Sequence, residues 1–230
     1  ATNRRWKPER KHVRGTICAI ASGSAGVGKT TLARNLAALL VQRGFRVRLE
    51  LPGSADPIGT SGRPHRLVSD VPRPDDGSPG FVVIDGPTGL DPALLEIAAT
   101  VDCLILLTTT EPSVLADTYA VIKYLMQHGA PPRIGVVVTR IQSERAAVNT
   151  TRRLDRVTRH FLGRAVEYLG RIPADDSLGD DTRDGSRVAQ EHPRSTASLC
   201  LEAICERLGA AHRAARRPPR LWSRVAGIFL

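Results

Sequence analysis

The chain has 230 residues, 41% of them hydrophobic, so it is long and apolar enough to bury a substantial core and does not belong to the disordered class. No apolar run approaches the roughly 20 residues that span a bilayer, and residues 1–15 lack the apolar stretch of a secretory signal, so we expect a cytoplasmic protein. The formal charge of +10 is divided between the two ends, +5 in residues 1–15 and +5 in residues 213–230, and the neutral body between them does not favour binding of polyanions over the whole surface.

The first half of the chain alternates short apolar runs with segments of helical spacing. We predict strands over residues 15–22, 45–51 and 80–89, the last of which ends in an acid, Asp85, and a glycine turn. Helices are predicted over residues 29–44 and 90–100. Asp91 is placed to cap the second helix, with Pro92 in its first turn. Residues 52–80 are rich in Pro, Gly, Asp and Ser, which indicates a long functional or mobile loop.

The second half continues the same alternation. We predict strands over residues 101–110, 133–141 and 165–173, and helices over residues 112–129, 143–163 and 195–217. Strands that are apolar throughout and separated by helices indicate parallel crossovers, with helices on both faces of the sheet. The sequence therefore predicts an α/β fold with a doubly wound, mostly parallel sheet that binds ligands at the carboxyl ends of its strands. Cys18 and Cys103 lie in the apolar strands, and we expect buried, reduced thiols there.

The segment ASGSAGVGKTTLARNLAALL, which starts at Ala21, has the spacing of a phosphate-binding loop between a buried strand and a helix. Its glycines allow backbone N–H groups to turn toward phosphate oxygens at the positive end of the helix. Lys29 suits the β- and γ-phosphates of a nucleotide and Thr30 suits Mg²⁺, with a glycine turn that holds no ligand as the alternative. The predicted nucleotide-binding residues of this loop are Gly23, Ser24, Ala25, Gly26, Val27, Gly28, Lys29, Thr30 and Thr31.

A carboxylate on a second strand completes the predicted site. Asp85 ends the apolar run FVVID, which brings it to the carboxyl edge of the sheet, where a residue that serves Mg²⁺ belongs. Gly89 follows four residues later, where its N–H is placed to meet a γ-phosphate. We therefore predict Lys29 and Asp85 as catalytic residues, and Thr30 and Asp85 as the residues that hold Mg²⁺.

The stretches SAGVGKTT, VIDGPTGLD, LLTTTEPSVLADTYAVIKYL and YLGRIPAD resemble the MinD/ParA group of P-loop ATPases over most of residues 15–210. Within that group, these stretches are most similar to the flagellar-number regulators of the FlhG type, also called FleN or YlxH. The segment from Thr109 to Lys123 is the most specific part of the resemblance, because partition ATPases lack it. The resemblance implies a doubly wound sheet, an ATP-bound homodimer and ATP-dependent membrane binding. It also implies that the base side of the nucleotide site includes Arg140, Pro173 and Asp175, although Pro173-Ala174-Asp175 is equally compatible with a plain turn.

Two features depart from the pattern of that group. The lysine that reaches across the dimer to the partner's phosphates falls at Ser24, and the glycine after it falls at Ala25. A serine cannot supply the positive charge of that lysine. The Asp-x-Asp segment that orients the attacking water has no clean match, and Glu50 and Asp56 are the candidates to replace it. We therefore predict ATP binding with slow hydrolysis.

The chain divides into a basic arm over residues 1–14, a P-loop ATPase domain over 15–212 and a basic amphipathic tail over 213–230. As a helix, residues 218–230 separate apolar side chains from arginines, which is typical of a segment that lies on an anionic membrane. The alternative is a terminal helix packed on the protein's own core. The arm is expected to be solvated, and it lacks the segment by which FlhG-type proteins activate the GTPase FlhF.

The sequence thus favours an ATP-binding, MinD-like switch of the FlhG type that controls flagellum number or cell-pole organisation. We expect an ATP-bound homodimer on the inner face of the cell membrane, with an FlhF-like GTPase or a flagellar basal-body protein as its partner. One alternative is a nucleotide-binding adaptor without turnover. Another is a ParA-like DNA partition ATPase, which would need a basic patch on the folded body, and the neutral charge of that body disfavours it.

Overall fold

The computed structural model describes residues 16–51, 80–129, 133–174 and 192–215, without the side chains of residues 211–215. Within these ranges the strands are β1 (Thr16–Ser22), β2 (Val47–Glu50), β3 (Phe81–Thr88), β4 (Cys103–Thr108), β5 (Ile134–Thr139) and β6 (Glu167–Ile172). The helices are α1 (Lys29–Gln42), α2 (Pro92–Ala98), α3 (Pro112–His128), α4 (Glu144–Leu162) and α5 (Thr196–Ala215). Each predicted strand and helix is present, with ends that differ by a few residues.

The six strands form one sheet in the order β2-β3-β1-β4-β5-β6, and every neighbouring pair is parallel. Helices α1 and α5 pack on one face of this sheet, while α2, α3 and α4 pack on the other. All residues of β4 and β5 are buried, because helices cover both faces of these inner strands. The prediction of a doubly wound, parallel α/β fold is confirmed.

Strand β3 runs past the residue at which we expected it to end. Asp85 pairs with Ile20 of β1, and the strand then continues to Thr88, which pairs with Ser22. One extra residue of β3 lies between these two pairs as a bulge, which accommodates a Gly-Pro step that a regular strand disfavours. Gly86 is required there because a Cβ would lie 2.7 Å from the carbonyl oxygen of Ile20. The prediction that Asp85 ends the strand is therefore wrong by three residues.

Several local predictions can be compared directly with the structure. The Asp91 carboxylate accepts a hydrogen bond from the backbone N–H of Ala93 at 2.8 Å, and Pro92 opens α2, as expected. Cys18 and Cys103 are buried free thiols, and burial raises the pKa of both, that of Cys103 to about 11. None of the described helices is both long and apolar enough to cross a membrane.

Some predictions fall on residues that the structure does not describe. These are Asp56, Asp175, the arm over residues 1–14, residues 52–79 of the predicted loop, and residues 216–230 of the tail. They stay predictions, as do the boundaries between the three segments of the chain.

Candidate nucleotide-binding site

Residues 23–28 form a loop between the carboxyl end of β1 and the start of α1. Gly26 and Gly28 have φ angles of 71° and 94°, which are left-handed conformations that favour glycine. The side chain of Val27 is buried in the core and anchors the loop, while Ala25 and Gly26 are exposed. Gly28 precedes α1, and no described side chain caps this helix. The N–H groups of its first turn are therefore left for an anion.

Gly23 is constrained by packing as well as by any phosphate. A Cβ at this position would lie 2.4 Å from the backbone carbonyl carbon of Asp117 and 2.6 Å from its oxygen. The first half of α3 thus abuts the loop directly. This contact between α3 and the loop is a second reason for glycine at position 23, one that the motif alone does not reveal.

Two hydrogen bonds join the start of α1 to β3. The ammonium of Lys29 donates to the hydroxyl of Thr88 at 2.5 Å, and the hydroxyl of Thr30 donates to Asp85 Oδ2 at 2.6 Å. Burial lowers the pKa of the Lys29 ammonium, and the Asp85 carboxylate opposes that shift. The structure therefore brings together the three side chains that the sequence assigned to the phosphates and to Mg²⁺. Thr88 was missed, because the strand was expected to end before it.

The second oxygen of Asp85 identifies where a cation fits. Asp85 Oδ1 is buried and has no hydrogen-bond partner among the described residues. A buried carboxylate oxygen without a partner is unfavourable unless a further group binds it. Mg²⁺ prefers carboxylate and hydroxyl oxygens and usually keeps several waters. The Asp85 and Thr30 oxygens therefore fit Mg²⁺ or a water bound to it.

Gly89 is engaged within the protein. Its φ is 75°, and its N–H donates to the carbonyl oxygen of Ser22 at 2.8 Å. In this conformation the N–H does not point to a free anion site. Its predicted contact with a γ-phosphate requires that this hydrogen bond be given up.

The outer corner of the loop is neutral where the MinD/ParA group carries its lysine. The hydroxyl of Ser24 donates to Asp117 Oδ2 at 2.6 Å, and the hydroxyl of Ser22 donates to the Ser24 carbonyl oxygen at 2.6 Å. Ser24 is thus bound to an acid of α3 within its own chain. Asp117 was not predicted as a site residue, although it lies in the Thr109–Lys123 segment that carries the most specific likeness.

Arg140 reaches the phosphate loop from the turn after β5. Its guanidinium Nη2 donates to the carbonyl oxygen of Gly26 at 2.7 Å. Its φ of 58° is the one positive value at a non-glycine residue in the part of the chain that the structure describes. The next residue is held by two hydrogen bonds, since the Ile141 N–H donates to the carbonyl oxygen of Ile172 and the Ile141 carbonyl oxygen accepts from Arg171. These bonds restrain the turn that contains the left-handed residue. We predicted Arg140 on the base side of the nucleotide, and the structure shows it bound to the loop.

The remaining residues of the predicted base side lie next to this turn. The Gln142 side chain donates to the carbonyl oxygen of Ala174 at 3.0 Å, which connects the turn after β5 to the turn after β6. Pro173, the preceding residue, is buried. The two turns are thus adjacent, as a base pocket between them requires, and the contact of Pro173 with a base stays a prediction.

Glu50 is the described candidate for orienting water. It ends β2 and pairs with Ile84, one residue before Asp85, so it lies near the same edge of the sheet. Its carboxylate forms an ion pair with Arg48 at 2.9 Å, and its side chain is 10% exposed. Burial raises the pKa of this carboxyl and Arg48 opposes the shift. Glu50 is therefore already paired, and its role toward water is unproven.

The sheet, the glycine loop and the paired Lys29, Thr30 and Asp85 define a P-loop nucleotide-binding protein. The chain belongs to the family of CobQ/CobB/MinD/ParA nucleotide-binding domains, whose model matches residues 18–188. The likeness to MinD/ParA proteins that the motifs predicted is thereby confirmed.

Individual relatives agree with this assignment. The antiactivator FleN of Pseudomonas aeruginosa is 24% identical in an alignment that covers 84% of this chain and 85% of FleN. The MinD cell division protein of Aquifex aeolicus superposes with a TM-score of 0.64 at 21% identity, over 89% of this chain and 99% of MinD. The MinD of Pyrococcus horikoshii OT3, solved in complex with Mg-ADP, gives a TM-score of 0.63 at 20% identity, over 84% and 96% of the two chains. At these identities the solved structures establish the fold.

Proposed function

We propose that this protein binds Mg²⁺-ATP at the loop over residues 23–31 and acts as a nucleotide-dependent switch. The observation that carries the proposal is the unpartnered, buried Oδ1 of Asp85 beside the Thr30 hydroxyl. The uncapped N-terminus of α1 and the ammonium of Lys29 lie on the same loop. Together they offer a cation site and an anion site at the carboxyl edge of the sheet, as a Mg²⁺-nucleotide requires.

Different side chains would bind the phosphates, the Mg²⁺ ion and the base. Lys29 would exchange its hydrogen bond to Thr88 for the β- and γ-phosphates, and the N–H groups of the loop and of the first turn of α1 would hold phosphate oxygens. Thr30 and Asp85 would hold Mg²⁺, which neutralises charge on the phosphates when it is bound. Pro173 and Asp175, with the turn after β5, would enclose the base.

We expect hydrolysis to be slow, since one charge is missing. Transition-state charge on the β/γ oxygens is stabilised by preorganised donors, and loss of one such donor in other enzymes costs about 10²–10³ in rate. Ser24 is neutral and its hydroxyl is occupied by Asp117. Glu50, the described candidate for orienting water, is paired with Arg48.

The finer proposal is an FlhG-type regulator of flagellum number or placement. The likeness to FleN over 84% of the chain and the Thr109–Lys123 segment support it. The protein would form a homodimer when it binds ATP and attach to the inner face of the cell membrane through residues 218–230. Its partner would be an FlhF-like GTPase or a flagellar basal-body protein.

Titration calorimetry with ATP and Mg²⁺, followed by co-sedimentation with anionic vesicles, tests this proposal. We expect one ATP per chain, and stable vesicle binding that requires residues 218–230 and ATP. Deletion of 218–230 should release most of the protein from vesicles and leave the ATP affinity unchanged. Equal sedimentation of the truncated and full-length proteins would contradict the membrane role, and ATP binding with no detectable turnover would favour the adaptor.

A further inference from the structure

Helix α4 presents an outward face that is basic along most of its length. Its exposed residues include Arg145, Asn149, Arg152, Arg153, Arg156 and His160. At 100° per residue these six positions fall within an arc of about 100°. The opposite side of the helix is buried against the sheet and α3 through Ala147, Thr150, Thr151, Leu154 and Thr158. We call the exposed positions from 145 to 160 the arginine face.

The four arginines of this face have no ion pair among the described residues, because both acids of α4 are engaged elsewhere. Glu144 binds Arg171 of β6 at 3.1 Å. Asp155 binds Arg159 at 2.8 Å through one oxygen and accepts the N–H of Val166 at 2.9 Å through the other. The arginine face therefore carries uncompensated positive charge, and the neutral sum of the body hides an uneven distribution. The summed charge of the body therefore could not indicate this local basic surface.

Apolar side chains are exposed beside the basic ones. Phe161 is 67% exposed and Val157 is 39% exposed. Both lie toward the C-terminal end of α4, about 40° and 80° beyond the edge of the arginine face for Val157 and Phe161, respectively. The ring of Phe161 contacts that of His160, with 4.6 Å between the ring centroids. An exposed phenylalanine next to cations is typical of a surface that meets the boundary between lipid headgroups and acyl chains.

The end of α4 lies at the same edge of the sheet as the end of α5. Glu144 contacts Arg171 late in β6, whereas Asp155 contacts Val166 just before β6, so α4 runs toward the amino end of that strand. In α5, Ile204 lies against Gly170, and Nη1 of Arg207 donates to the carbonyl oxygen of Leu169 at 2.7 Å, so α5 runs in the same direction. Both helices therefore end toward the amino edge of the sheet, α4 on one face and α5 on the other, and the chain leaves α5 at that edge.

We propose that the arginine face, with Val157 and Phe161, is a second contact with an anionic lipid surface. This inference rests on the membrane attachment proposed above and adds a site on the folded body. A tail of about three helical turns binds a bilayer weakly, and stable attachment generally needs a second signal such as a basic patch. A nucleic-acid backbone would use the arginines and leave Phe161 and Val157 exposed, so the lipid surface matches more of this face.

Co-sedimentation with two kinds of vesicle tests the inference, one of phosphatidylcholine alone and one with about a third phosphatidylglycerol. The test pair is Arg152→Gln with Arg156→Gln, since glutamine preserves helix propensity. The matched control is Lys123→Gln with Arg194→Gln, which removes the same charge from exposed positions outside the face. With Mg²⁺-ATP present, we expect the test pair to weaken binding to the anionic vesicles about tenfold and the control pair less than twofold. Circular dichroism melting confirms that each variant is folded.

Two further variants separate this inference from the proposed function. Deletion of residues 218–230 should leave weak, salt-sensitive binding to anionic vesicles, and replacement of all four face arginines by glutamine should remove that remainder. Phe161→Ser should weaken binding to the anionic vesicles severalfold. Normal vesicle binding by the four-arginine variant, with loss on deletion of the tail, would overturn the inference and keep the proposed attachment.

A duplex DNA of about 30 base pairs serves as the competing ligand, followed by fluorescence anisotropy. Face-dependent DNA binding with unchanged vesicle binding would overturn the inference in favour of nucleic acid. Failure of the unmodified protein to bind anionic vesicles would overturn both the inference and the proposed attachment. Vesicle binding that depends on the face in a protein that does not bind ATP would uphold the inference and contradict the proposed switch.

Discussion

The two sides of the phosphate loop differ in the charged side chains that they carry. On the inner side, Lys29 and Thr30 are held by Thr88 and Asp85 of β3. On the outer corner, a serine stands where the MinD/ParA group has a lysine, and its hydroxyl is bound to Asp117. The inner side has the groups that we propose to hold phosphates and Mg²⁺, while the outer corner lacks the charge that, in the MinD/ParA group, acts on the partner's nucleotide.

This difference indicates that binding and turnover can be separated within one loop. Interactions equal in the ground state and the transition state give affinity, and those stronger in the transition state give rate. We propose that the inner side serves mainly affinity, and that the lysine of the MinD/ParA group, which is Ser24 in this chain, serves rate. A chain with one and without the other is suited to hold ATP for long periods and to wait for a partner that resets it.

The largest effect is expected on the inner side, for Lys29→Ala. Charge-assisted hydrogen bonds contribute about 1.5–3 kcal/mol each, so loss of contacts to two phosphates should weaken ATP binding by about 10²–10⁴-fold. The melting temperature should hold, since Lys29 is only half-buried. Lys123→Ala, at an exposed position of α3, is the matched control and should bind ATP normally. Unchanged affinity in folded Lys29→Ala, measured by calorimetry, would refute the assignment.

On the outer corner, Ser24→Lys should raise turnover and strengthen ATP-dependent dimerisation. We expect the rate of phosphate release to increase about tenfold to a hundredfold. This is less than the effect of a donor in its native site, because Asp117 competes for the new ammonium. Ser24→Ala removes the hydroxyl without adding charge and should leave the rate unchanged. If Ser24→Lys changes neither the rate nor the sedimentation of the ATP-bound protein, the account of this corner is wrong.

Asp85→Asn tests the proposed Mg²⁺ site on the inner side of the loop. The amide keeps an acceptor for Thr30 and loses the negative charge, so the gain in ATP affinity on adding Mg²⁺ should fall about tenfold. Affinity measured in EDTA should change little. Asp91→Asn is the control, because Asn caps a helix about as well as Asp does. An equal Mg²⁺ effect in both variants would remove Asp85 from the cation site.

The smallest effect concerns Arg140, which ties the loop to the turn after β5. Arg140→Asn suits the left-handed backbone better and loses the hydrogen bond to Gly26. We expect an unchanged or slightly higher melting temperature together with ATP binding about threefold weaker. Arg140→Ala keeps the backbone strain and should melt lower than Arg140→Asn. A destabilised Arg140→Asn with normal ATP affinity would show that the residue is structural alone.

The inner side could be predicted from sequence because its parts are close along the chain. A buried strand, a glycine loop and a helix within 21–40 fix the positions of Lys29 and Thr30 relative to each other. Asp85 could be added because parallel strands end at a common edge. What was missed is Thr88, whose approach to Lys29 depends on the bulge in β3.

The outer corner and the base side depend on long-range packing that no local pattern reports. Asp117 meets Ser24 because the backbone of α3 abuts Gly23, a contact between residues 94 positions apart in the chain. No local pattern reports that the guanidinium of Arg140 binds the carbonyl oxygen of Gly26, and the contact of Arg140 with a base stays a prediction. The arginine face was missed because summed charge carries no information about where charges lie.

The central claim, that a loop built to hold ATP turns it over slowly, is tested most directly on the unmodified protein. One preparation is titrated with ATP and Mg²⁺ by calorimetry, and its phosphate release is then measured at saturation. We predict saturable binding of one ATP per chain, with release below about 0.01 per second, far under the ~10 per second of a median enzyme. Release near that median without any partner, or no saturable binding, would contradict the account.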